Sequence, residues 1–466
     1  MTERDIGYQE DQTRPTQVLE VDDELLEDIR ELIRTRSRNE LKTIIADLRP
    51  ADLSAILNRL QAAEASYFFY LIPEEQTSEV VVELEEGLRS RILSEMPHAK
   101  ISELVDKMES DNAIDVVRDL PENVARQVIQ QLEVPAAAEL QELLRYEENT
   151  AGGLMGKEVA VARMSNTVKK AISIIRKLAK ETQRIYNLYV VDEYNVLKGF
   201  VPIERLLLHN PARRLSKIME ADVVSVRADV DQEEVAQVFK KYNIVSLPVL
   251  DSQNRVIGHI TADDIVEVME EEASEDIYRI LGGDAAELQQ KSPLQIARMR
   301  LPWLLVTMGV SLLSGLVVSM FDATISRVIL LASFMPVVSA VSGNVGLQAA
   351  AIIVRGMATG HVAIADWRTT WWREIRTVLL MAMVCGSMLG AVASVWSQQW
   401  PFGLVVGVSM FASMSTAGTM GTLIPLASKK LGFDPAVTAG PFETTFQDIV
   451  GFGIFLGLAT WFINFL

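Results

Sequence analysis

GPFETTFQDIVGFGIFLGLAT, residues 440–460, decides how the rest of the chain is read. It is close to the ~20 residues a bilayer-spanning helix needs, and it carries a carboxylate, Asp448, among apolar neighbours. Gly440-Pro441 opens the helix, and at ~1.5 Å rise per residue Asp448 lies about 10 Å inside that end. A carboxylate at that depth is costly against lipid and faces a wet path or a partner. Thr444 and Thr445, four and three residues earlier, share its face and offer hydroxyl oxygens. Glu443, near the helix end, points elsewhere and reads as snorkelling to water.

Four more apolar segments precede this one, giving five with approximate limits 299–321, 325–355, 376–397, 401–428 and 438–465. Basic residues orient them. Arg298 and Arg300 precede the first, Arg355, Arg368, Arg373 and Arg376 lie between the second and third, and Lys429 and Lys430 follow the fourth. The other loops hold Arg327 or no basic residue. Positive charge on one side predicts a multi-pass protein of the plasma or inner membrane, with the N-terminal body in the cytosol and the C-terminus outside. All seven tryptophans fall near span ends, as interfacial anchors do. The second span is interrupted by PVVSAVSGNVGLQ (336–348), where Asn344 and Gln348, four apart, share a face. That face reads either as a pore lining or as close helix packing. The small-residue run SMSTAGTMGTLIP (413–425) is assigned to packing.

The 292 residues before the spans differ in kind. From Pro293 onward nine Lys/Arg and six Asp/Glu occur, a net of +3, so the whole-chain −18 leaves −21 on the preceding part. Such a body attracts polyvalent cations and argues against nucleic acid as a partner. With one cysteine, Cys385, no disulfide framework or CxxC-type metal site can form within the chain. Residues 1–20 lack an apolar core after a basic start and read as a disordered tail.

Two internal repeats organise this half. Pro50, Pro73, Pro97 and Pro121 each stand just inside a new amphipathic helix, at spacings of 23, 24 and 24 residues, predicting a superhelical stack of short helices. Then LYVVDEYNVLKGFVPIERLL (188–207) aligns with LPVLDSQNRVIGHITADDIV (247–266), offset by 59 residues: strand, acidic turn, strand, helix. This duplicated unit resembles a tandem pair of CBS domains. The acidic helix EVMEEEASEDIYRILGG (267–283) follows. The expected fold class is a multidomain membrane protein with a tail (1–20), an all-α helical-repeat N-domain (21–148), an α/β CBS pair (149–210 and 211–270), a connecting acidic helix and linker (271–297), and a five-helix transmembrane domain (298–466).

One carboxylate makes a poor divalent-cation site, but a homodimer whose fifth spans meet on a twofold axis brings two Asp448 side chains together. Mg²⁺ suits that arrangement, because it dehydrates reluctantly and is often held through its waters by one or two carboxylates. The lack of Cys, His or Met-rich clusters at this depth disfavours a soft metal.

Along essentially its whole length the chain resembles the MgtE magnesium transporters and channels. The resemblance rests on the helical repeats, TAGGLM (150–155), ITADDIVEVMEEEASEDIYRILGG (260–283), SGNVGLQ (342–348) and the run from GTLIP (421–425) through Asp448. It implies a homodimer with five spans per subunit, a pore on the dimer axis and Asp448 as the ion-selecting group. Glu443 departs from the family pattern, which has an uncharged residue there, and adds an acidic group at the cytosolic entrance. The resemblance also makes the acidic connector a plug helix, held shut by cytosolic Mg²⁺. The sensing candidates are Asp263, Asp264, Glu267, Glu270, Glu271, Glu272 and Glu275. Packed carboxylates repel, so the compact state needs divalent ions to bridge them, and loss of Mg²⁺ favours opening. Thr261-x-x-Asp264 resembles the hydroxyl and carboxylate pair that holds a ribose in nucleotide-binding CBS modules. The first repeat has Pro202-Ile203-Glu204 there, a poor match, so ATP stands as a hypothesis.

Three other readings compete. A CBS-regulated anion channel conflicts with Asp448 and the lack of an intramembrane Arg or Lys. A membrane-anchored divalent-ion sensor without transport would not need five spans with a deep carboxylate. A CBS-regulated transporter of another divalent cation stays open. No P-loop, HExxH or nucleophile–base pair points to an enzyme.

Overall fold

The computed structural model describes residues 21–180, 182, 184–280 and 293–464. The expected tail (1–20) and the linker stretch 281–292 lie outside the described residues. The chain divides into two compact units, Met1–Asp229 with Pro248–His259, and Val230–Leu247 with Ile260–Leu466.

The first unit begins with α1 (Asp23–Arg34) and α2 (Arg38–Asp47), followed by four helix pairs: α3 (Pro50–Arg59) with α4 (Ala62–Phe69), α5 (Glu74–Val82) with α6 (Glu86–Glu95), α7 (His98–Val105) with α8 (Ser110–Arg118), and α9 (Glu122–Gln131) with α10 (Val134–Leu143). Each ~24-residue repeat thus holds two helices, where the proline spacing marks the start of only one. Pro50 is the first helical residue of α3, as expected, but Pro73, Pro97 and Pro121 are N-caps one position earlier. The extended ψ of 138–144° at those three prolines is the conformation proline prefers, and the N-cap needs no N–H for the helix ladder. Like helices stack on like, α3 on α5, α5 on α7 and α7 on α9. Ile56, Leu57, Phe68, Val80, Val81, Ile92, Ile101 and Ile114 are fully buried between them.

After the short α11 (Ala151–Leu154) two small sheets follow. β1 (Val161–Arg163) lies parallel to β2 (Asn187–Val191), which pairs antiparallel with β3 (Leu197–Pro202). α12 (Val168–Leu178) and α13 (Ile203–Leu207) complete this repeat. The second repeat orders β4 (Val226–Arg227), β5 (Ser246–Leu250) and β6 (Val256–Thr261) in the same way, with α14 (Gln232–Tyr242) and α15 (Ala262–Ile280). The hairpin turns match in atomic detail. Asp192 Oδ1 accepts from the N–H groups of Tyr194 and Val196, and Asp251 Oδ1 from those of Gln253 and Arg255. Asn195 and Asn254 supply the left-handed residue, with φ of 63° and 60°. α15 is continuous, so the position 270/271 expected to separate repeat from connector falls inside one helix.

The rest of the second unit is helical: α16 (Pro293–Met320), α17 (Asp322–Arg327), α18 (Leu331–Ala358), α19 (Trp367–Ser397), α20 (Trp400–Leu431), α21 (Pro435–Ala439) and α22 (Pro441–Trp461). Among the described residues four helices are long and apolar enough to cross a membrane, and α22 contributes a shorter apolar stretch, Phe446–Trp461. Several expected limits change, two of them with a clear cause in the chain. The second segment, expected over 325–355, breaks after α17 and resumes at Leu331, with Val328 outside helical geometry. The third, expected from 376, begins at Trp367, so Arg368, Arg373 and Arg376 ride on the helix itself. Hydropathy sees only the apolar part, whereas backbone hydrogen bonding continues through the charged turns. α20 lies at the centre, packing on α18, α19 and α22 around Phe334, Val338, Val378, Phe402, Met410 and Phe455.

Candidate functional site

The deep carboxylate finds a partner across the bundle. Ser339 Oγ on α18 donates to Asp448 Oδ1 on α22, and both side chains are half-buried. Pro336 lies inside α18 three residues before Ser339, where its missing N–H leaves the Ala332 carbonyl without its helical partner. The adjacent Gln447 is 1% exposed, and its Nε2 donates to the Ser413 carbonyl and hydroxyl on α20 at 3.3 and 3.0 Å. Consecutive residues of α22 therefore grip two different helices, which sets the rotation of α22 and the direction of Asp448. Gln447 Oε1 and the hydroxyls of Ser342 and Ser409 are buried without a hydrogen-bond partner, so the otherwise apolar bundle interior near α20 carries unspent polar atoms.

Asn344 and Gln348 are exposed on α18. At 3.6 residues per turn Asn344 projects about 140° around α18 from Ser339, so within one chain it is not brought to Asp448. The side chains of Glu443, Thr444 and Thr445 lie outside the described residues. Sequence reading missed the Gln447–Ser413 clamp and the Ser339 contact. The signal for the clamp was an amide beside the carboxylate, followed by nothing polar until Thr460.

The acidic candidates spread along α15. Asp263, Glu267, Glu270 and Glu271 are exposed. Asp264 Oδ2 accepts from Thr261 N at 3.0 Å and from Thr261 Oγ1 at 2.7 Å, so the two residues proposed as a ribose pair cap the start of α15. Burial, with Asp263 and Glu267 adding to it, pushes the Asp264 carboxyl up to about 6 despite those bonds. Glu272 accepts from Gln232 Nε2 at 2.6 Å and is also raised, by burial first and then by Glu275, Asp231 and Glu233. Glu275 is paired with Arg279, which also reaches Asp434, the cap of α21. Lys429, in the last turn of α20, pairs with Glu233 at 3.2 Å. Among the described residues no group of three or more His, Cys, Asp or Glu side chains converges as a metal cage. Within one chain, then, the acidic helix is a row of separated carboxylates.

The family of divalent cation transporters termed MgtE matches residues 335–458, the MgtE intracellular N domain matches 48–149, and a CBS domain matches 215–271. Over 445 residues the chain is 32% identical to the magnesium transporter MgtE of Thermus thermophilus, covering 94% of this chain and 98% of that one. This chain belongs to the MgtE family. The MgtE of Bacillus subtilis is 30% identical over 95% of this chain and 98% of its own length. A solved cytosolic domain of the Mg²⁺ channel MgtE, in complex with ATP, is 30% identical, covers 52% of this chain and 99% of that chain, and superposes with a TM-score of 0.49. The MgtE transporter match runs from within α18 to within α22 and so takes in Ser339, Ser413, Gln447 and Asp448. The CBS match takes in Thr261, Asp264 and the first half of the acidic helix of this MgtE chain.

Proposed function

We infer that the chain is a Mg²⁺ transporter, with Asp448 as the group that meets the permeating ion. The observation that carries this is a carboxylate inside an apolar helix of an MgtE-family bundle, held toward α18 by Ser339 while Gln447 anchors the same turn to α20. A lone carboxylate binds a divalent ion weakly, so a second copy supplies the second charge and the pore lies between the two copies. Asn344 and Gln348, polar on an exposed face of a membrane helix, line the water-filled path, and Thr444 and Thr445, four and three residues before Asp448, are further hydroxyl candidates for it. The N-terminal body is cytosolic.

Regulation uses α15. Asp263, Asp264, Glu267, Glu270, Glu271, Glu272 and Glu275 repel one another, and cytosolic Mg²⁺ shared between them and neighbouring surfaces stabilises the closed state. ATP is a second ligand for the CBS pair. Both Thr261 bonds fall on Asp264 Oδ2, which leaves Oδ1 for a ribose hydroxyl. A rise in melting temperature of the full chain with ATP, absent in Asp264→Ala, is expected.

The deciding experiment is Mg²⁺ flux into proteoliposomes. Wild type conducts, Asp448→Ala loses at least about tenfold in rate, a barrier change of ~1.4 kcal/mol, and Mg²⁺ on the cytosolic face suppresses wild-type flux. Wild-type-like flux in Asp448→Ala removes the site assignment. Absence of flux in wild type returns the protein to a membrane-anchored sensor.

A further inference from the structure

We propose that one face of α19 binds an anionic phospholipid, its phosphate held by Arg368 and Arg376 and one acyl chain laid in the groove between α19 and α20. Arg368, Arg373 and Arg376 are all exposed, and among the described residues none is in an ion pair. Arg368 lies over the Trp367 ring at 5.3 Å and Arg376 over the Trp372 ring at 5.7 Å, an arrangement that fixes guanidiniums beside amphipathic rings. Arg368 stands in the first turn of α19, where a cation opposes the helix dipole and the dipole adds to its attraction for an anion. Glu374 projects about 160° around the helix from Arg376 and leaves that face without a carboxylate.

The same face continues into hydrocarbon. At about 100° per residue, Arg368, Trp372 and Arg376 fall within a sector of about 80°, and Met383, Gly390 and Ser394 fall inside it again. Here α19 and α20 enclose a groove of about 460 Å³, within the roughly 300–1,000 Å³ range of small-molecule sites. Its floor is backbone: a Cβ on Gly386 would stand 2.7 Å from the Gly407 carbonyl, and one on Gly390 2.8 Å from that of Gly403. Its hydroxyls are spent on their own helix, Ser387 on the Val384 carbonyl at 3.0 Å and Ser394 on that of Gly390 at 2.9 Å. The groove is therefore mostly apolar and suits an alkyl chain. It starts at Ala382, about 9 Å along the axis from Arg376, which leaves room for a glycerol backbone between phosphate and chain. A molecule with an anionic head and a hydrocarbon tail satisfies both ends, and the bilayer around the span supplies it.

The test is native mass spectrometry of the delipidated full-length protein, titrated with phosphatidylglycerol or phosphatidylcholine. Wild type prefers phosphatidylglycerol. The Arg368→Gln/Arg373→Gln/Arg376→Gln variant loses about tenfold in phosphatidylglycerol affinity. Ser387→Trp, which fills the groove from an exposed position, weakens both lipids with unchanged melting temperature. An unchanged preference in the arginine variant overturns the proposal. So does unchanged lipid binding in Ser387→Trp, which would leave only diffuse surface charge. Displacement of the lipid by excess inorganic phosphate would assign the arginines to a free anion instead. Disulfide-linked dimers of Ser387→Cys in a Cys385→Ala background would show that a second copy covers the groove.

Discussion

At Gln447 a buried amide bonds to Ser413 while its neighbour Asp448 meets Ser339, and the two contacts together hold one turn of α22. Gln447→Leu leaves the Ser413 hydroxyl buried without this partner and should cost about 1–3 kcal/mol. Adding Ser413→Ala should recover most of it, since removing both partners is close to neutral. Melting of the purified protein across this double-mutant cycle gives the coupling. Asp264 behaves oppositely to an ion-paired acid. Its folded value near 6 lies above the ordinary 3.8, so the fold favours the neutral form. That contribution is complete below about pH 4 and is lost as pH rises to about 6, on the order of 3 kcal/mol. Asp264→Asn should therefore gain stability relative to wild type between pH 4 and 7, read as a growing difference in melting temperature. Asp448 was legible as a lone carboxylate in an apolar run. Its partners were not, because which side chains meet across helices depends on rotations that spacing within one helix does not contain.

Among the elements, α18 and α20 cross most tightly where a Cβ on Gly421 would lie 2.2 Å from the Gly346 carbonyl. Neither backbone can yield, so Gly421→Ala should lower stability by about 1–3 kcal/mol. Gly343→Ala, on the same α18, meets nothing within 4 Å and should leave the melting temperature unchanged. Thermal unfolding in detergent compares the two. The small-residue run 413–425 was legible as packing for this reason: glycine and serine let membrane helices approach closely. The second helix of each N-terminal repeat was not marked, because the evenly spaced prolines signal one start per repeat and, of α4, α6, α8 and α10, only α10 has a proline near its start, Pro135. The 59-residue offset fares better. β2 and β5, and β3 and β6, start at positions separated by that interval, since the Asp and Asn of each turn set the hairpin geometry locally.

For the whole molecule, a net charge of −18 concentrated outside the spans makes divalent cations a stabilising ligand. Millimolar Mg²⁺ should raise the melting temperature of the full chain and chelation should lower it. Glu270→Gln/Glu271→Gln should reduce the rise, whereas monovalent salt at equal ionic strength should not reproduce it. Differential scanning fluorimetry tests this directly. The sequence by itself determined the division into an acidic repeat-built half and an apolar helical half, the duplicated strand-turn-strand unit, and the one carboxylate that lipid would not tolerate. Each follows from patterns along the chain: charge, period and turn chemistry act between near neighbours. Only the tertiary structure decided that Asp448 faces Ser339, that Thr261 and Asp264 close on each other, that the acidic row of α15 stays spread out within one chain, and that an apolar groove extends the arginine face of α19. Those depend on how helices rotate and pack, where small gains summed over many distant residues choose one arrangement.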